Sequence, residues 1–178
     1  MNGVTMQSAT LFHEFDLSFL KNAAALVDSK LRVLELEARS SPDPDALGTY
    51  DKAEYITGFG LVACQTYIAA CVSRAGIDRS QALDLGPMHH CGLSMVTLVN
   101  ALANYWKHSQ DWIHPLSKTA QKTVDTITTL YPDTEASYLT TNALAALLQP
   151  SEPRIGRVIP FLKQWRDSLQ NDESSNSR

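Results

Sequence analysis

Apolar residues recur at helical spacing along nearly the whole chain, and prolines and glycines cut that pattern into lengths. From about Asp16 to Arg39 the spacing is carried by Leu17, Leu20, Ala24, Leu31 and Leu34, as one face of a helix requires. The stretch SSPDPDALGT (40–49) stops it with two prolines and a glycine. A second helix is expected from about Tyr50 to Ala75. Asp51 and Glu54 open it, where negative charge complements the helix dipole. Its Gly58 and Gly60 are read as permitting a close helix–helix approach, at some cost in helix propensity.

The connection 76–93 holds room for one short helix after Asp78, ended by Gly86-Pro87. A further helix runs from Ser94, a suitable N-cap, to about Asp111 or Trp112, with Pro115 marking its end. Ser117 opens another, to about Leu130, before Tyr131-Pro132. A fifth is expected from about Glu135 to Leu148. A sixth follows from about Ser151 to Leu169, with Pro153 in its first turn and Pro160 kinking it. Phe161 and Trp165, one turn apart, are placed to close the bundle or a dimer seam. No hairpin signal, internal repeat or low-complexity segment occurs. The expected fold is all-α: a single-domain, up-and-down helical bundle of about five to six helices over residues 1–170, with 171–178 as a polar, disordered tail.

With 178 residues, 44% of them apolar and 19% charged, the chain can bury one core without disulfides or metals. A net charge of −4 excludes bulk attraction to nucleic acid but not a local basic patch. Cys64, Cys71 and Cys91 are odd in number and lack CxxC spacing. Cys64 and Cys71 fall on one helix face and read as small core residues, which points to a reducing, cytoplasmic setting. No secretory signal is recognisable. The longest apolar stretch, Gly58 to Val72, is interrupted by Gln65, Thr66 and Tyr67 and reads as too short to cross a bilayer, so no membrane partner is expected.

Residues 100–112, NALANYWKHSQDW, hold the densest chemistry. At about 100° per residue, Met95, Leu98, Val99, Leu102, Tyr105 and Trp106 share one side of the helix. Thr97, Asn100, Asn104, Lys107, His108 and Asp111 share the other. Asn104 and His108 are i, i+4 neighbours. Histidine can act as general acid or base near neutral pH, lysine can steady a phosphate, and asparagine can orient one. That set suits metal-independent cleavage of RNA through its 2′-hydroxyl, with His108, Lys107 and Asn104 as the catalytic candidates. Asn100, Asp111 and Trp112 are the binding candidates. Trp112 lies at the edge of the polar face and could stack on a base, whereas Trp106 falls on the apolar side. The plain alternative is a solvated helix face.

The segment ANYWKH (103–108) resembles the motif of the HEPN superfamily (higher eukaryotes and prokaryotes nucleotide-binding): an arginine, commonly followed by a polar residue, and a histidine a few positions on. Asn104 and His108 match, whereas Ala103 stands where the family has its arginine. The resemblance implies a small helical bundle, often a homodimer in which two motifs meet. It also implies RNA as substrate of a metal-independent ribonuclease, and a bacterial defence or toxin–antitoxin setting with an antitoxin-like protein partner. With Ala103 in place, Lys107 would have to hold the phosphate, as a point charge without a bidentate fork. The other reading is a non-catalytic helical protein-interaction module.

No cofactor is called for. His89, His90 and Cys91 are metal-capable types, but adjacent residues chelate one ion poorly and no second ligand pair has zinc-site spacing, so no metal site is expected. Gly58-Phe59-Gly60 lacks the strand context of a phosphate loop, and no GxSxG elbow occurs.

Overall fold

A computed structural model describes the backbone of residues 3–176 and the side chains of residues 15–169. Seven α-helices lie within the described residues: α1 (Gly3–Ser40), α2 (Thr49–Ala75), α3 (Arg79–Asp84), α4 (Met95–His108), α5 (Lys118–Leu130), α6 (Leu139–Leu148) and α7 (Ile159–Asn176). Ser109–Asp111 and Ile155–Arg157 are 3-10 turns. The described residues form no strand, only an isolated bridge between Met88 and Ser94. The chain is thus all-α, with one helix more than the upper end of the sequence-based count. The extra element arises where the 76–93 connection holds α3 as a helix in its own right.

α2 is the axis of the bundle and packs against α1, α4, α6 and α7. Leu17, Leu20, Ala24, Leu31 and Leu34 line the buried side of α1, as their spacing predicts. Full burial of such side chains is worth about 1.5–3 kcal/mol each, so this face alone fixes α1 against α2. The glycine pair makes the approach possible within the chain. A Cβ at Gly58 would lie 2.1 Å from Trp106 Nε1, and one at Gly60 would lie 2.4 Å from Ile155 Cγ1. Cys64 and Cys71 are fully buried free thiols. Burial pushes the Cys64 thiol up to about 12 and Cys71 up to about 11. The apolar stretch in α2 belongs to a 27-residue helix, long and apolar enough by length and composition to cross a membrane, which corrects the expectation that it is too short. More than half of its most apolar window is buried inside the bundle.

Local chemistry sets most boundaries. Ser94 Oγ accepts from Thr97 N–H at 3.0 Å, and Ser117 Oγ from Ala120 N–H at 3.2 Å. Asp78 caps α3 by accepting from Ser80 N–H and Gln81 N–H; the Ser80 hydroxyl, which donates to the same carboxylate, and then these two bonds hold its carboxyl below the usual range. α4 ends at His108 and passes into a 3-10 turn through Asp111.

Two boundaries differ from the sequence reading. α6 begins at Leu139, not near Glu135, because Tyr138 takes a left-handed conformation (φ 61) that interrupts helix propagation. Pro160 does not kink a long helix: it is the second residue of α7, where its missing N–H has no intrahelical partner to lose. Pro153 precedes the helix altogether. α7 continues to Asn176, beyond the start of the expected tail, and residues 177–178 lie outside the described part.

Candidate functional site

The polar stripe of α4 is not a uniform wet face. Its members are drawn into two different grooves, and the residues beneath them decide which. Gln65, on the buried side of α2, donates from Nε2 to Asn100 Oδ1 at 2.9 Å and to Asn104 Oδ1 at 2.7 Å. Arg79, from α3, donates from Nη2 to the same Asn100 oxygen at 2.9 Å. With both amide oxygens occupied as acceptors, the amide nitrogens of Asn100 and Asn104 remain as donors, and no described residue accepts from them.

Asn100, Asn104 and Arg79 line a groove of about 530 Å³ between α3, α4 and α5, closed on the far side by Thr119, Lys122 and Thr123 of α5. Arg79 is exposed and its described partner is an amide oxygen, not a carboxylate. Asp78 and Asp84 also border the groove. Asp78 is committed to the α3 cap, and Asp84 is exposed at the far end of α3. Thr97 is used structurally, its hydroxyl donating to the Leu83 carbonyl at 2.9 Å.

Lys107 and Asp111 line a second groove, of about 660 Å³, together with Asp51, Glu54 and Tyr138. Its carboxylates place Lys107 in acidic company. Glu54 is not merely the negative end of α2. Its Oε1 and Oε2 accept from Thr140 N–H at 2.7 Å and Thr141 N–H at 2.8 Å. It therefore supplies from another helix the cap that Tyr138 cannot supply to α6. Glu54→Ala is expected to destabilise the fold by about 1–2 kcal/mol, read as a lower urea midpoint at unchanged slope. Faster amide exchange confined to the start of α6 would accompany it. An unchanged midpoint would mean that water caps α6 equally well.

His108 is exposed and lines neither groove. It is the last residue of α4, one turn beyond Asn104 on the same side of the helix. The structure thus brings Asn100 and Asn104 together, sends Lys107 and Asp111 elsewhere, and leaves His108 at a margin. Trp112 is half-buried, its ring edge-on to Tyr105 at 5.6 Å between centroids. Trp106 lies over Gly58 between Tyr55 and Phe59, packed on α2 and half-exposed, not in the core.

Two groove residues, Arg79 and Lys122, and Gln65, which holds the groove asparagines from α2, escape the sequence reading. Gln65 leaves a trace there as a polar residue inside an apolar run. Arg79 and Lys122 leave none, because only the packing of α3 and α5 beside α4 brings them in.

The His89 and His90 rings lie 3.8 Å apart between centroids, tilted by 41°, and His89 Nδ1 accepts from Cys91 N–H. Burial, then the neighbouring His90, lowers the His89 pKa. Among the described residues no three His, Cys, Asp or Glu side chains gather as metal ligands would. No protein-family model matches the chain, and neither a curated protein nor a solved structure shows significant similarity to it.

Proposed function

We propose that the α3–α4–α5 groove binds the phosphate backbone of RNA, in a HEPN-like protein where Arg79 takes the place of the arginine missing at Ala103. One observation carries this reading: a guanidinium with no carboxylate partner among the described residues is held on Asn100, beside the donor-bearing amide of Asn104 and across from Lys122. Arginine offers a planar fork to a phosphate, which Lys107 could not have done. In the acid–base step of this reading, His108 takes the proton of the ribose 2′-hydroxyl as its oxygen attacks phosphorus. The P–O5′ bond breaks and water protonates the leaving oxygen, giving a 2′,3′-cyclic phosphate and a 5′-hydroxyl, with no metal required.

A second reading, the non-catalytic protein-interaction module, is favoured by a different observation. Asn104, Lys107 and His108 do not converge on one point.

The test uses a fluorescently labelled single-stranded RNA in EDTA. Arg79→Ala is expected to weaken binding about tenfold or more and to reduce the salt dependence by about one phosphate contact. His108→Ala is expected to leave binding intact and abolish any cleavage. Binding without cleavage would remove the ribonuclease step and keep the groove. No binding by the unaltered protein at low salt would leave the interaction module.

A further inference from the structure

α1 carries two apolar stripes, and the bundle covers only one. Written as heptads with Phe19, Leu26 and Val33 at a, the covered residues fall at b, c and f. Leu17, Ala24 and Leu31 (f) and Leu20 and Leu34 (b) are buried in the core. At c, Asp28 accepts from Ile155 N–H and Gly156 N–H, and Glu35 pairs with Arg154. Every described a, d and g position from Phe15 to Ser40 is exposed. On that bare side stand Phe15 (69% exposed), Phe19 (68%), Leu26 (75%), Val33 (53%) and Leu36 (63%).

Their spacing, 4, 7, 7 and 3, is the a/d spacing of a coiled coil. Together these side chains expose roughly 600 Å², which approaches the ~800 Å² per partner of a stable interface once the flanking g and e side chains are added. Isolated exposed apolar residues need no explanation, but a periodic row of this extent does.

We infer that this seam pairs with the same seam of a second copy of the chain, in parallel and in register. Three features select that occupant. The repeat is in phase with itself over three heptads. Arg32 at g and Glu37 at e are five residues apart, the separation at which g of one strand meets e of the other in a parallel pair. The sequence is therefore self-complementary there, twice over by symmetry. Glu37 is available for this, its intrachain contact with Lys52 being at 3.9 Å. Finally, Asn22 and Ser29 occupy d positions. Against an apolar foreign surface they would lose their hydrogen bonds, whereas in register each meets its own copy across the two-fold axis. The seam lies on α1, while α4 packs against α2, α3, α5, α6 and α7. The inference is therefore independent of what the groove binds.

Sedimentation of the full chain at about 100 μM is expected to show a dimer. Leu26→Glu is expected to give a monomer with unchanged helix content, since Leu26 contributes nothing to the core. Arg32→Glu is expected to weaken self-association about tenfold, and Arg32→Glu combined with Glu37→Arg to restore it, because the g–e pair is rebuilt with its signs exchanged. A monomeric unaltered protein, or a Leu26→Glu variant that still dimerises, would overturn the seam. A double variant no tighter than Arg32→Glu would overturn the parallel register.

Discussion

Trp165→Ala is expected to lower the unfolding free energy by about 3–5 kcal/mol, the range for truncating a fully buried aromatic. Trp165 is completely buried where α7 meets α2, α3 and α4, the bundle-closing place that its spacing from Phe161 suggests. Its Nε1 donates to the Ala82 carbonyl at 2.7 Å, and its edge fills the space beside Gly86, where a Cβ would lie 3.0 Å from Trp165 Cβ. Truncation therefore opens a cavity and leaves the Ala82 carbonyl only its 3.3 Å bond from Leu85 N–H. Trp165→Phe separates the two effects. It retains most of the packing and removes the donor, so it should cost about 1–3 kcal/mol. Urea unfolding of both variants checks this. A loss below about 1 kcal/mol for Trp165→Ala would mean that the site collapses and that this side chain does not hold α3 and α7 together.

Asp28→Ala is expected to cost about 2–4 kcal/mol, the sum of one buried and one part-buried N–H group deprived of an acceptor. The carboxylate is 8% exposed, and its oxygens accept from Ile155 N–H at 2.8 Å and Gly156 N–H at 2.9 Å. Gly156 is required for that closeness, since a Cβ there would stand 2.9 Å from Asp28 Oδ2. Asp28→Asn keeps one acceptor and turns an amide NH₂ toward the other N–H, so it should cost roughly half as much or more. Calorimetry gives the total. Amide exchange at Ile155 and Gly156 locates it, and unchanged protection at those two sites in Asp28→Ala would show that the pair of bonds contributes nothing.

What could be read in advance, and what could not, divides along the range of the interaction. Ser94, Asp78 and Ser117 declare helix starts because each caps a donor two or three residues away. Gly58 and Gly60 declare a close approach, though not that Trp106 and Ile155 would fill it. Pro160 is ambiguous from its neighbours alone: the same residue kinks a helix interior or begins a helix, and only the 3-10 turn before it decides. Tyr138 carries no local reason for its left-handed backbone. Its helix is capped by Glu54, which lies 86 positions away from Thr140.

The α4 stripe is the most instructive case. Helical phase places Asn104 and Lys107 on one face, but the angle between them is enough for different neighbours to claim them. Gln65 and Arg79 hold the amides toward α3, and the acidic groove takes the lysine. Arg79 meets Asn100 across 21 positions through a tertiary contact that no spacing rule encodes. The outer stripe of α1, Phe19, Leu26 and Val33 among it, escapes the sequence reading beside the inner one, because two apolar stripes on one helix look alike in sequence. Only the inner stripe's burial shows that the outer one is left bare.

α3 is six residues long, too short to stay helical by itself. Its order comes from outside: Trp165 holds the Ala82 carbonyl, and Ser94 and Thr97 hold that of Leu83. The helix that carries Arg79 is therefore thermodynamically linked to the packing of α7. Linkage is reciprocal. A ligand engaging Arg79 would raise the free energy needed to open α3, and a substitution at Trp165 that populates the open form would weaken that ligand in proportion to the fraction of α3 left closed.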